Sequence, residues 1–469
     1  MNGFTAVILA AGEGTRMKSD IPKVLHRVCG IPMLGHVINA AKKAGAGKIV
    51  VVVGKGADEV KKAFEGQGVN FVVQAEQKGT GHALMQARKE AEGDGIILVL
   101  YGDMPLVTAE SIAAMVQFHS EHRPAATVMT ARVQDPTGYG RIIRDKLRVL
   151  AIREEKDALP EEKTINEINS GFYCFDASLV FEALTKVKND NRQGEFYLTD
   201  VVEIFNKEGR DVLAFEAADP LEISGINDRC QLAFAQKVMQ KRIIERWMKE
   251  GVTFVNPDTC MVDVNVTIGR DTIIYPGVLL EGETHIGGGC LIVGPSRIKD
   301  SSIGNNSEII MSQILESTVA DGVKIGPFSN LRPGCRISEE VKIGDFVEIK
   351  NTSVGPGSKV PHLSYVGDAV IGRKVNIGAG TIFVNYDGYK KHQTMVEDGA
   401  FIGCNSNLIA PVTVKSGSYV AAGSTITREV PEDSLAVARA RQENIIGWAE
   451  KRRKKIKEEK IEGGIRNNG

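Results

Sequence analysis

The chain has no CxxC pair, no signal-cleavage pattern, no apolar run of bilayer length and almost no net charge. Each absence removes a class of protein. The seven cysteines, at 29, 174, 230, 260, 290, 335 and 404, are odd in number and scattered. That pattern suits reduced thiols and argues against a disulfide framework or a thiolate zinc site. With 58 Lys+Arg against 59 Asp+Glu, a net charge of -1 leaves no electrostatic footprint for nucleic acid or a membrane surface, and neither partner is expected. The apolar runs fall short of the roughly 20 residues that cross a bilayer. The opening MNGFTAVILAAGEG carries no basic n-region, so a cytoplasmic location is expected. What remains is an ordinary globular composition, 42% hydrophobic over 469 residues, enough for two or three domains.

What is present changes character near residue 225. Before it, short apolar runs at 6–9, 48–53, 71–74, 96–101 and 126–131 alternate with the helical patterns MLGHVINAAKKAG, ADEVKKAFEG, GHALMQARKEAEG and AESIAAMVQFHSEH. Such alternation predicts an α/β domain with a Rossmann-like, mostly parallel sheet covered on both faces, and ligands at the carboxyl ends of its strands. INDRCQLAFAQKVMQKRIIERWMK then keeps helical spacing at Leu232, Ala235, Val238, Met239, Ile243 and Trp247, which predicts one long linker helix. Beyond it the period becomes six. Ile268, Ile274, Leu280, Ile286, Ile292 and Ile298 are evenly spaced; after small slips so are Ile325, Leu331, Ile337, Ile343 and Ile349, then Ile402, Leu408, Val414, Val420 and Ile426. Hexapeptide repetition over roughly 160 residues is the signature of a parallel β-helix. Residues 383–394, FVNYDGYKKHQT, break the repeat and predict a protruding loop on a binding face. The basic end, ENIIGWAEKRRKKIKEEKIEGG, reads as a solvated C-terminal helix or a frayed tail. The expected domains are 1–228, 229–249, 250–437 and 438–469.

The loop LAAGEGTRMKSDIPK, residues 9–23, follows the first apolar run and has the makings of a phosphate cradle. It is not a dinucleotide fingerprint, because Met17 stands where the third glycine belongs, and the Walker pattern GxxxxGK[ST] is absent. A plain tight turn is the remaining structural alternative. Arg16 and Lys23 nevertheless place two cations close to Gly12 and Gly14, whose backbone N–H groups can approach an anion closely, a set suited to a triphosphate. IILVLYGD ends a buried strand in Gly102-Asp103, where a carboxylate can hold Mg²⁺ over phosphates. Asp103 as a mere helix cap is the alternative, but Thr108 and Ser111 are available for capping.

LAAGEGTRM with its following PK, QAEQKGTGHA and YGDMPL together resemble the sugar-nucleotide pyrophosphorylases. With the hexapeptide half, residues 4–448 closely resemble the bacterial bifunctional N-acetylglucosamine-1-phosphate uridyltransferases/glucosamine-1-phosphate N-acetyltransferases. The resemblance implies a nucleotidyltransferase domain followed by a left-handed, trimeric β-helix. It implies acetyl transfer from acetyl-coenzyme A to glucosamine 1-phosphate, then UMP transfer from UTP with release of pyrophosphate. The product would feed bacterial cell-wall and lipopolysaccharide synthesis. It assigns Leu9, Ala10, Ala11, Gly12, Gly14, Arg16, Lys23, Gln74, Gly79, Thr80, Tyr101 and Gly102 to the uridine nucleotide, and Gly140, Glu154 and Asn169 to the sugar side. Asp103 and Asn227 would share the Mg²⁺. Gln74 has an independent rationale, since an amide can pair with a uracil edge. His82 receives no role.

In the second half, Arg332, Lys350, His362 and Tyr365 fall in or near regular coils, a pair of cations and a phenol for a sugar phosphate and a histidine for proton removal. Taken singly, each cation reads equally as a solvated rung and His362 as a structural residue. The resemblance makes His362 the proton acceptor, assigns Arg332, Lys350, Tyr365, Asn376 and Lys391 to the sugar phosphate, and places Ala379, Asn385, Tyr386, Cys404, Ala422 and Arg439 at acetyl-coenzyme A. Cys404 departs from the serine often found there; it is taken as a cofactor contact, with an acyl-cysteine route as the lesser alternative. Two competing functions stand beside the bifunctional enzyme: a single-activity pyrophosphorylase whose β-helix only oligomerises it, and a binding module with relic sites.

Overall fold

A computed structural model describes residues 3–93 and 95–465. The chain divides into two compact units, Met1–Asp300 and Ser301–Gly469. Residues 1, 2, 94 and 466–469, including the end of the basic tail, lie outside the described residues.

The first unit is built on a nine-stranded sheet. Its strands lie in the order Asn70–Val73, Ala46–Val53, Phe4–Ala10, Ile96–Tyr101, Glu167–Asp176, Ala126–Arg132, Val212–Glu216, Arg148–Arg153 and Arg141–Asp145. The first four are parallel. Side chains along them alternate between two cores: Val7, Leu9 and Val99 pack with Leu84, Phe181 and Phe205, whereas Ala6, Ile8 and Leu98 pack with Leu34, Ile38 and Met115 on the other face. Strands buried on both faces become near-continuous apolar runs, which is why these four are visible in the sequence.

The expected parallel order ends at Glu167–Asp176, which runs antiparallel to both Ile96–Tyr101 and Ala126–Arg132. The sheet is therefore mixed. The hairpin at 141–153 carries charged residues between its apolar ones, and Asn169, Ser170 and Gly171 break the apolar run of the reversed strand; the sequence pattern left both, and the short Val212–Glu216, unassigned. The predicted helix over GHALMQARKEAEG is interrupted at Ala87, whose N–H bonds the Leu84 carbonyl at 2.9 Å and tightens the turn between Thr80–Gln86 and Arg88–Ala91. The Ala109–His122 helix is capped by Thr108, whose hydroxyl accepts from Ser111 N at 3.2 Å, so Asp103 is not its cap.

The linker helix, Arg229–Lys249, starts at Asp228, whose carboxylate accepts from Gln231 N at 2.8 Å, and it buries Ala235, Ile243, Ile244 and Trp247. The same unit then begins a three-sided coil. Thr267–Ile268 pairs in parallel with His285–Ile286, and Ile273–Ile274 with Leu291–Val293, eighteen residues on in each case. Three six-residue faces close one turn, which converts the sequence period into a prism.

The second unit repeats this coil, its parallel strands arranged in three sheets consistent with a left-handed β-helix. Ile325, Leu331, Ile337, Ile343 and Ile349, and later Ile402, Leu408, Val414, Val420 and Ile426, all point inward and are buried. The step widens where Ala369 pairs with Thr394, leaving 385–393 as a loop closed by a Tyr386–Lys391 bridge. The basic tail forms the helix Trp448–Ile465, with residues 448–461 exposed, matching the solvated-helix reading. No helix among the described residues is long and apolar enough to cross a membrane.

Burial in the first unit has a pH consequence. His119 is 3% exposed with Nδ1 2.9 Å from Thr127 Oγ1, and burial lowers its pKa from the ordinary 6.5 to about 4. Between those values the unfolded chain binds the proton and the folded chain does not, so stability is complete above pH 6.5 and lost as pH falls toward 4. His119→Gln is expected to flatten that loss, read as urea-unfolding midpoints across the same pH series.

Candidate active sites

Parallel register places the first site. Leu9 pairs with Tyr101, so the loops leaving these two strands emerge side by side. Gln74 lies just beyond the end of the Asn70–Val73 strand, its N–H bonded to the Val53 carbonyl at 2.8 Å. The three strand ends surround a cavity of about 290 Å³. Of the residues expected at the nucleotide, Leu9, Ala10, Ala11, Gly12, Lys23, Gln74, Gly79, Thr80, Tyr101 and Asp103 line it.

Glycines at three points let the backbone come this close. A Cβ on Gly14, where φ is +64°, would lie 2.6 Å from the Lys23 Cβ, so only glycine lets the lysine stem cross the loop. Gly79, at φ +103°, sits against the Phe196 carbonyl. Gly102 lies over Ala10, Leu34 and Val24, which fixes it as a packing residue beneath the cavity. Arg16 is exposed in the one-turn helix Thr15–Met17 and does not line the cavity.

The charge centre is Lys23. Its ammonium, on a side chain only 10% exposed, is ion-paired with Asp103 Oδ2 and donates to Asn227 Oδ1 at 2.7 Å. Asn227 is brought to Asp103 from 124 residues away by a backbone bond, Ile226 N to the Asp103 carbonyl at 3.0 Å. The other carboxylate oxygen, Asp103 Oδ1, is buried without a hydrogen-bond partner among the described residues. A carboxylate and an amide oxygen that already converge on one cation, with a further oxygen unsatisfied, fit a hard oxygen-seeking metal ion.

Gln74 is 4% exposed; its amide donates to the Gly79 carbonyl at 3.2 Å and lies 3.0 Å from His82 Nδ1. His82, unassigned from sequence, therefore holds the Gln74 amide in place. Sequence reasoning missed Gln77, which lines the cavity and donates to the Ala11 carbonyl at 2.5 Å, although it sits inside the same QAEQKGTG stretch. It also missed Val24, Ala83 and Glu195 in the wall.

The three sugar-side residues come together. Gly140 accepts from Asn169 N at 2.8 Å, and a Cβ on Gly140 would lie 3.5 Å from both Asn169 Cβ and Glu154 Oε1. Burial pushes the Glu154 carboxyl above its ordinary range, against a Thr199 hydroxyl bond at 3.4 Å. Glu154 lines a second cavity of about 410 Å³ with Tyr197, Thr199 and Asp200. Tyr101 lines the first cavity, and burial together with the Glu154 charge raises its phenol.

In the second unit, one corner of the coil carries a ladder. Asp345 pairs with His362, and the register Lys359 to Asn376, Asn376 to Phe401 and Phe401 to Tyr419, carried three residues forward, aligns His362 with Ala379, Cys404 and Ala422. Backbone bonds from Asn405 N to the Ala379 carbonyl and from Gly423 N to the Cys404 carbonyl, both 2.8 Å, hold these coils together. Arg439 follows beside Gly423, its Cδ 3.9 Å from where a Cβ would be. His362 thus shares one edge with Ala379, Cys404, Ala422 and Arg439 of the residues expected at acetyl-coenzyme A, with Cys404 exposed, whereas Asn385 and Tyr386 belong to the inserted loop.

The cations gather at the opposite end of the neighbouring face. Arg332 and Lys350 occupy equivalent places in successive coils, Arg332 pairs with Glu348 at 3.0 Å, and Lys391 reaches Lys350 from the inserted loop. The close approach of Lys391, with desolvation and the charge of Arg332, holds Lys350 below the ordinary ammonium range. Three cations pressed together favour an anion between them. Tyr365 lies on the strand spanning the two groups; Asn385 Nδ2 donates to its hydroxyl at 3.3 Å and to Asp368 Oδ2 at 2.6 Å. Gly367 permits this, since a Cβ there would sit 2.5 Å from the Tyr365 hydroxyl. Asn376 starts the strand Asn376–Ile377, and Tyr386 is exposed on the loop, its hydroxyl bonded to the Gly388 carbonyl at 2.6 Å. Asp345 and Asp368 were missed; counting one coil of seventeen residues back from His362 finds the first.

A family model for a MobA-like NTP transferase domain matches residues 6–165. A relative from Alkaliphilus metalliredigens (strain QYMF), named Bifunctional protein GlmU, is 52% identical over 444 residues, covering 94% of this chain and 97% of that protein. One of the same name from Listeria monocytogenes serovar 1/2a (strain EGD-e) is 50% identical over 446 residues, covering 95% and 97%. A solved UDP-glucose pyrophosphorylase complexed with UDP-glucose aligns with 51% of this chain and 99% of its own, at 19% identity and a TM-score of 0.41.

Gly14→Ala is expected to displace Lys23 and lower pyrophosphate release from UTP by about ten-fold or more. Gly45→Ala, at φ +94° but with nothing within 4 Å of the added Cβ, carries the backbone strain alone and is expected to leave the rate within about two-fold.

Proposed function

The chain belongs to the GlmU family of bifunctional proteins, and from that premise we propose that it makes UDP-N-acetylglucosamine in two steps on separate sites. The β-helix acetylates glucosamine 1-phosphate from acetyl-coenzyme A. The N-terminal domain then joins UMP from UTP to N-acetylglucosamine 1-phosphate and releases pyrophosphate. The functional division is 1–228, 229–249, 250–437 and 438–469. The enzyme works in the cytoplasm as a homotrimer, with small molecules as its substrates. Exposed stacked pairs, Phe328 with Phe346 and Phe401 with Tyr419, each 5.3 Å between ring centroids, supply apolar surface for such an assembly.

The observation that carries the uridyl reaction is the meeting of Lys23, Asp103 and Asn227 at the strand ends beside the cavity. Asp103 and Asn227 would hold Mg²⁺, which when bound supplies charge neutralisation around the α-phosphorus. Lys23 turns from Asp103 and Asn227 to the phosphates, with Gly12 and Gly14 keeping the backbone close and Arg16 at the rim. Gln74, its Nε2 held by Gly79 and His82, presents its amide oxygen to a uracil N–H. Gly140, Glu154 and Asn169 hold the sugar for in-line attack. No covalent nucleophile is needed, because positioning and electrostatics lower the barrier.

In the β-helix, Arg332, Lys350 and Lys391 take the sugar phosphate, with Tyr365 and Asn376 on the sugar. Ala379, Cys404, Ala422 and Arg439, with Asn385 and Tyr386, flank acetyl-coenzyme A. His362 receives the amine proton as nitrogen attacks the thioester. Cys404 serves as a contact, and intact acetyl transfer after Cys404→Ser is expected; loss of transfer in that variant would instead indicate an acyl-cysteine intermediate.

Two assays test the whole reading: pyrophosphate release from UTP with N-acetylglucosamine 1-phosphate, and thiol release from acetyl-coenzyme A with glucosamine 1-phosphate. Asp103→Ala is expected to abolish the first and spare the second, with His362→Ala doing the reverse. Pyrophosphate release alone from the unaltered protein would leave a pyrophosphorylase with a β-helix used only for assembly. One folded single variant that lost both activities would contradict separate sites.

A further inference from the structure

We propose that Asp345 is the positioning residue of acetyl transfer, fixing the tautomer and orientation of the His362 imidazole through its Nδ1. This rests on the reading of His362 as proton acceptor and names the group through which that residue is made competent.

The placement follows from the coil. Asp345 ends the strand Lys342–Asp345 and His362 ends Lys359–His362; the strands are parallel and in register, with Asp345 opposite His362. Residues paired in this way stand about 4.8 Å apart, within reach of two short side chains. The contact is made: His362 Nδ1 is bonded to Asp345 Oδ1. The backbone behind it is fastened too, because Leu363 N donates to the Asp345 carbonyl at 3.0 Å, and the chain leaves both coils through left-handed residues, Phe346 at φ +55° and Leu363 at φ +48°.

The other acids near this face have partners of their own. Glu348 accepts from Arg332 at 3.0 Å, and Asp368 accepts from Asn385 at 2.6 Å and from Asn351 at 2.7 Å. Asp345 is the carboxylate given to the histidine. The bond to His362 also holds its carboxyl below the ordinary range, which keeps it ionised at neutral pH.

A half-exposed imidazole, 56% accessible, left to itself would swing among rotamers and place its single proton on either nitrogen. A carboxylate at Nδ1 holds the proton there and leaves the Nε2 lone pair free to act as base. Among the described residues Nε2 has no hydrogen-bond partner. During transfer the amine nitrogen forms a bond to the acetyl carbon, and the carbon–sulfur bond breaks with its electron pair leaving on coenzyme A sulfur. The nitrogen loses a proton to His362 Nε2, and the imidazolium, stabilised by Asp345, returns that proton to the thiolate. The products are the amide and a free thiol, with histidine restored.

The test is a double-mutant cycle read as thiol release, at enzyme concentrations high enough to follow residual rates. Asp345→Ala is expected to lower kcat by about 10- to 100-fold and leave KM for acetyl-coenzyme A and glucosamine 1-phosphate within about two-fold. Asp345→Asn, whose amide oxygen can still accept from Nδ1, recovers part of the loss. In a His362→Ala background, Asp345→Ala is expected to change nothing further. Full kcat in Asp345→Ala, beside an inactive His362→Ala, would overturn the proposal and leave the reading of His362 standing. An equal loss with and without the histidine would make Asp345 merely structural and overturn it as well. An active His362→Ala would remove the base itself, and both readings with it.

Discussion

Backbone N–H groups of one strand donating to the carbonyls of a parallel neighbour decide which side chains meet in both units. In the first unit that ladder sets Leu9 beside Tyr101, so the loop beginning at Ala11 and the Gly102-Asp103 turn leave the sheet together. In the second it sets Asp345 over His362 and carries the same corner on to Ala379, Cys404 and Ala422. A shift of one residue would turn each of these side chains to the opposite face, and the buried isoleucines inside the coil forbid it.

Both sites gather charge that a fold optimised only for stability would keep apart. Lys23 is ion-paired with Asp103 and hydrogen-bonded to Asn227, yet Asp103 keeps one buried oxygen without a partner among the described residues. Lys350 and Lys391 stand against each other and near Arg332. An unmet oxygen and a set of repelling ammonium groups each find a lower energy with a ligand of opposite charge. The two arrangements differ in sign: the first leaves a carboxylate oxygen unmet and the second sets positive charges against one another.

Glycines and small residues make the approaches possible. Gly14 clears the Lys23 stem, and Gly367 clears the Tyr365 hydroxyl and the Asn385 amide. The loop that interrupts the coil contributes Asn385 as a nearly buried buttress as well as Lys391 as a cation. An insertion in a solenoid thus works from both sides of the surface it covers.

The strands at Phe4–Ala10 and Ile96–Tyr101, the linker helix and the β-helix repeats were legible in the sequence because burial on fixed faces imposes a period on apolar residues. The phosphate loop and the His362 coil were legible as residue types in suggestive order. Gln77 and Asp345 were not, since a single polar side chain leaves no period, and the reversed strand Glu167–Asp176 was not, because Asn169, Ser170 and Gly171 break its apolar run. By itself the sequence determined which faces must be buried, and so the elements and the coil. Only the tertiary structure decided that Asn227 would meet Asp103, that His82 would hold Gln74, and that Asp345 would face His362. Those meetings join residues far apart in the chain, one coil apart, or on either side of a turn, and they are set by backbone register and hydrogen-bond geometry, which residue identity alone does not encode.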